Sequence, residues 1–130
     1  MRANPLIVIS DTEAPFCDSY IDALNHGGYR VLTIADKCEL FNSLSYIKPD
    51  LIITSIRSDN IDGLDFLKSV KASFRLNKIP VIIASKHLEL MADAARLGAS
   101  HFIAKPFASA DLEMAIKSCL LRSPWSEEGE

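Results

Sequence analysis

Long apolar runs are missing from this 130-residue chain. Its strictly aliphatic stretches stop at about four residues, where a membrane-spanning helix needs ~20. No membrane role is expected. A basic excess is missing too: 14 Lys and Arg stand against 17 Asp and Glu, for a formal charge of -3. Without a clustered basic face there is no electrostatic footprint for nucleic acid. The N-terminus "MRANPLIVIS" has one Arg and a short apolar run that turns polar at once, which is no secretory signal. The three cysteines, Cys17, Cys38 and Cys119, form no C-x-x-C pair. Each falls inside an apparent helix, so buried or half-buried free thiols in a reducing cytosol are expected, without disulfide or zinc. His26, His87 and His101 lack metal-ligand spacing, and neither metal nor cofactor is expected. No nucleophile–base pair and no phosphate-cradling glycine loop is present; Gly27-Gly28 is an isolated helix stop. The chain does not read as an enzyme.

What is present is a compositionally ordinary domain, 48% hydrophobic and 24% charged. Five apolar strand-like runs alternate with helical stretches: Leu6–Ser10, Arg30–Ile34, Leu51–Ser55, Ile79–Ser85 and His101–Ala104. From about Pro15 to His26, Phe16, Tyr20 and Leu24 share one side, with Asp18, Asp22 and Asn25 opposite. Asp36 and Glu39 make a capping box for a helix carrying Leu40, Leu44 and Ile47, stopped by Pro49. A third helix carries Phe66, Leu67, Val70 and Phe74 on its inner face, and a fourth carries Leu88, Met91, Ala94 and Ala95 up to Gly98. Leu112, Ala115, Ile116 and Cys119 give the last helix its core stripe. Five strand–helix units imply an α/β fold: a doubly wound, five-stranded parallel sheet buried on both faces. Residues 1–122 are expected to form the domain and 123–130, "SPWSEEGE", a flexible acidic tail or linker stub.

Ligands of such sheets collect beyond the carboxyl ends of the strands. The residues there are Ser10, Asp11, Ser55, Arg57, Ser85, Lys86, Lys105 and Pro106. "LIVISD", "NIDGLDFL", "IPVIIAS" and "LGASHFIAKPF", in that order, resemble the receiver domain of two-component response regulators from about Leu6 to Leu121. The resemblance implies the (βα)5 flavodoxin-like fold. It also implies an aspartate phospho-acceptor ending the third strand, Mg²⁺ held by acids ending the first, a hydroxyl residue ending the fourth and a lysine ending the fifth. Asp11 matches the second acid, Ser85 the hydroxyl and Lys105 the lysine, followed by Pro106 with a bond that is usually cis in the family.

Three departures decide the reading. Ser10 stands at the first acid, Ser55 at the phospho-acceptor, and Ser58-Asp59 replaces the family's usual Met-Pro. A serine without a general base is a poor nucleophile, and Mg²⁺ favours carboxylate and water oxygens in octahedral geometry. Asp11, with at most the Arg57 carbonyl, leaves too few ligands. The expectation is a degenerate pocket of Ser10, Asp11, Ser55, Arg57, Ser85 and Lys105. In it Asp11 pairs with Lys105, and the Ser55 and Ser85 hydroxyls complete the hydrogen bonds. Ser55 reads equally as a space-filler at a strand end, and Arg57 as either a replacement cation or a solvated loop residue.

The resemblance then implies a pseudo-receiver: a phosphorylation-independent, cytoplasmic protein-interaction module of bacterial two-component signalling. Its output face would be the fourth helix, fifth strand and fifth helix, binding a signalling partner or a second copy. Met114 and Leu121 lie opposite the core stripe of the last helix, with Ala110 near them and Lys117 bordering. Phe102, beside His101, stands at the family's switch aromatic without a tyrosine hydroxyl. The rivals are a functional receiver phosphorylated at an unusual acceptor such as Asp59, with Asp62 more simply a turn residue, and a small-ligand sensor using the pocket.

Overall fold

The computed structural model of the chain describes residues 4–11, 18–56 and 62–122. The strands are β1 (Leu6–Ser10), β2 (Arg30–Thr33), β3 (Leu51–Ser55), β4 (Val81–Ser85) and β5 (His101–Ala104). The helices are α1 (Asp18–Asn25), α2 (Lys37–Ile47), α3 (Asp62–Ala72), α4 (Met91–Arg96, entered through a 3₁₀ turn over Leu88–Leu90) and α5 (Ser109–Leu120). All neighbouring strands pair in parallel, in the order β2-β1-β3-β4-β5. This is the doubly wound arrangement of the flavodoxin-like receiver fold.

Side chains of successive strand residues point to opposite faces, so each central strand serves two cores. Ile7, Ile9, Leu51, Ile53, Ile82 and Ala84 pack with Tyr20 and Ala23 of α1 and Leu112, Ile116 and Cys119 of α5. Val8, Ile52, Val81 and Ile83 pack on the other face with Leu40 and Leu44 of α2, Phe66, Leu67 and Val70 of α3, and Ala94 of α4. Local chemistry fixes the helix limits. The Asp36 carboxylate accepts from the Glu39 amide at 2.9 Å, the first half of the expected capping box. Lys48 closes α2 in a left-handed conformation ahead of Pro49, and Gly98 (φ +105°) follows α4. Gly63 sits where α3 starts: a Cβ there would lie 2.4 Å from the Ser55 carbonyl and 2.5 Å from Ile56 Cγ1, so the helix can ride directly on the end of β3.

Several expectations are corrected. β2 stops at Thr33 and β4 begins at Val81, with Ile79 and Pro80 buried ahead of it. All four β2 residues are exposed, because this strand lies at the sheet margin. α3 ends at Ala72, so Phe74 falls beyond the helix and is 92% exposed. The α4 segment covers less than its periodicity suggested: Ala94 is buried, but Leu88, Met91 and Ala95 are exposed. Cys38 is exposed, contrary to a half-buried thiol, because it occupies the outer side of the first turn of α2. Cys17, Phe16 and Trp125 lie outside the described residues.

Cys119 is buried as expected, and burial pushes its thiol up to about 11. A folded-state value above the unfolded one means that the folded chain keeps its proton while the unfolded chain loses it. Stability is therefore whole below the unfolded value near 9 and falls as pH rises through about 11. Cys119→Ser removes this alkaline loss, flattening the stability profile in urea titrations across that window. In the native protein at neutral pH, iodoacetamide is expected to label Cys38 and spare Cys119.

Candidate functional site

At the carboxyl ends of the strands, side chains tie one strand to the next. The buried Ser10 hydroxyl donates to the Ala35 carbonyl beyond β2 at 3.2 Å. Thr54 Oγ1 donates to the Ser10 carbonyl at 3.3 Å, crossing from β3 to β1. Ser85 Oγ donates to the Ile56 carbonyl at 2.8 Å and accepts from the His87 amide at 3.0 Å. The Lys105 amide donates to the Ser85 carbonyl at 2.9 Å, joining the end of β5 to that of β4. The Lys105–Pro106 peptide is cis, as the resemblance implied.

The Lys105 ammonium then reaches back to β1. Nζ lies 2.7 Å from Asp11 Oδ2, with side-chain exposures of 12% and 2%. A pair about 4 Å apart is worth roughly 4 kcal/mol gross at an effective dielectric near 20, and desolvation cancels much of that. The burial makes the pair a joint with consequences: neither charge is easily left alone. Tyr20, 1% exposed, donates its hydroxyl to the same Asp11 oxygen at 2.7 Å, and its ring meets Phe107 edge-on at 5.0 Å.

The expected pairing of Asp11 with Lys105 is therefore present, and Ser85, expected to complete its hydrogen bonds, bonds to the backbone instead. Ser85 is spent on Ile56 and His87, and Ser10 on Ala35. The Tyr20 hydroxyl meets the pair at Asp11 Oδ2. Ser55 is half-buried at the end of β3. Arg57, Ser58 and Asp59 lie outside the described residues, and so does the side chain of Asp62. Tyr20 was legible only as part of an apolar stripe, although a buried tyrosine needs a hydrogen-bond partner for its hydroxyl, and that was the available signal.

These residues do not fit a hard divalent cation. Ser10 has turned its hydroxyl to a backbone carbonyl, and one oxygen of Asp11 already takes an ammonium and a phenol. Among the described residues, no group of three His, Cys, Asp or Glu side chains stands where it could share an ion.

The expected output face is uneven. Met114 and Leu121 are 72% and 71% exposed, and Ala110 and Lys117 are exposed beside them. Phe102 is half-buried against the core under α4, so it supports the face more than it presents itself. Leu88, in the 3₁₀ turn, and Met91, at the start of α4, add exposed apolar surface.

Residues 7–117 match the family model of the response regulator receiver domain. The chain belongs to that family. Receiver domains are signalling modules of two-component systems. This one is 26% identical over 132 residues to the transcriptional regulatory protein FixJ of Bradyrhizobium diazoefficiens, covering 100% of the chain but 63% of FixJ. It is 24% identical over 117 residues to sporulation initiation phosphotransferase F of Bacillus subtilis, covering 90% of the chain and 94% of that protein. Among solved structures, a response regulator from Desulfuromonas acetoxidans superposes with a TM-score of 0.75 at 30% identity, covering 89% of this chain and 96% of the other. No helix among the described residues is long and apolar enough to cross a membrane.

Proposed function

We propose that the chain is a phosphorylation-independent pseudo-receiver, a cytoplasmic protein-interaction module of two-component signalling whose crevice has become a structural joint. The observation that carries this is the Asp11–Lys105 pair, 2.7 Å apart and buried, with a serine at the end of β3. A receiver crevice of three acids and one lysine repels itself until a cation arrives. Here, among the described residues, Asp11 faces Lys105, and the two charges balance without an ion. With serine at position 55, the strand end offers no carboxylate to attack phosphorus. The exposed Met114 and Leu121, bordered by Lys117 and supported by Phe102, then form the surface for a signalling partner or a second copy.

Intact-mass spectrometry after incubation with acetyl phosphate and Mg²⁺ tests the reading. The expected spectrum is that of the unmodified chain. A stable gain of one phosphoryl group, at Asp59 or elsewhere, would overturn it.

A further inference from the structure

Asp11 Oδ2 accepts from two donors brought by different parts of the fold. Lys105 comes from the end of β5, and Tyr20 from the first turns of α1. The Tyr20 ring also meets Phe107, in the connection between β5 and α5. Just past the end of α1, His26 Nδ1 lies 3.1 Å from Glu113 Oε1 of α5. The first helix is thus tied to the β5–α5 segment near both of its ends, and the inner tie passes through the crevice carboxylate.

We propose that Tyr20 is the latch of the crevice. Its hydroxyl shares Asp11 Oδ2 with Lys105, fastens α1 to the β5–α5 connection, and withholds that oxygen from a cation. The inference rests on the reading that the crevice is a joint, and it adds the residue that holds the joint shut. The geometry is specific. A buried phenol has to place its hydroxyl, and at 2.7 Å from a carboxylate it forms a charge-assisted bond. A cation approaching that oxygen would have to displace Lys105 and Tyr20 together. The latch also links the crevice to α5, so the outward face that carries Met114 and Leu121 is held in one position by contacts made on its inner side.

Tyr20→Phe removes the hydroxyl and keeps the ring against Phe107, so the core stays filled. Hydrogen exchange on the full chain is the first readout. Opening of α1 and of the Lys105 and Phe107 amides is expected to rise roughly tenfold, the loss of one hydrogen bond to a charged group. Amides of Ile52 and Ile53, in the central strand, are expected to change less. Unchanged exchange in α1, or an equal rise in every strand, would overturn the latch. The second readout is Mg²⁺ affinity in a Ser10→Asp, Ser55→Asp background, followed by isothermal titration calorimetry. Adding Tyr20→Phe there is expected to tighten binding several-fold. Equal or weaker binding, or none with the hydroxyl removed, would contradict the claim that Tyr20 withholds the oxygen. Mg²⁺ binding by the unaltered chain would instead overturn the pseudo-receiver reading and leave the exchange result to stand alone.

Discussion

Replacing Lys105 with alanine is expected to destabilise the domain by about 3–5 kcal/mol, because Asp11 is left charged, buried and without its cation. The Tyr20 hydroxyl remains but cannot neutralise a carboxylate that is 3% exposed as a residue. For a domain of this size, that loss lowers the melting temperature by on the order of 10 °C. The cause is testable by removing both charges. Asp11→Asn with Lys105→Met is expected to recover most of the loss, since well-packed neutral groups often replace a buried ion pair without cost. Calorimetry of the two variants and the wild type checks both statements. A Lys105→Ala protein as stable as the wild type would mean that the pair is ornamental.

The second large effect concerns recognition. In a pull-down from a native cell lysate, Met114→Asp with Leu121→Asp is expected to cut recovery of the wild-type partner at least tenfold, since charges are depleted at the centre of an interface. Both residues are more than two-thirds exposed, at 72% and 71%, so the variant should keep its stability within roughly 0.5 kcal/mol. Matched melting curves separate lost binding from lost folding. Undiminished recovery, with the fold intact, would clear this face of α5 and turn attention to Leu88 and Met91 beside β5.

The fold was legible because its signals are redundant. Leu6–Ser10, Leu51–Ser55 and His101–Ala104 stand where the apolar runs place them, and each strand is followed by a stripe of helical period. The Asp11–Lys105 pair was legible for a different reason: two strand ends of one parallel sheet put an acid and a base into the same crevice. Where the reading failed, geometry not written in the periodicity decided. Phe74 continues the apolar spacing of α3 on paper, but the chain turns first, with the Ser73 amide on the Val70 carbonyl and Leu76 on Ser73. Leu88 and Met91 fit a helical stripe, but the segment starts as a 3₁₀ turn that carries them outward. Ser85 reads in the sequence as a hydroxyl serving the pair. It donates instead to the Ile56 carbonyl, and side-chain-to-backbone bonds leave no mark in sequence spacing. Tyr20 shows the reverse limit, since its stripe position placed it inside correctly while its hydroxyl carried the chemistry.

The chain keeps the receiver scaffold, with Asp11 and Lys105 in direct contact at the carboxyl ends of β1 and β5. The most direct measurement is a Mg²⁺ titration of the unaltered chain, following the amide resonances of Asp11, Ser55 and Lys105 together with the melting temperature. Flat resonances and the same melting temperature in chelator and in millimolar Mg²⁺ are the predicted result. A saturable shift at those three amides, with the rise in stability that specific binding confers, would contradict the account.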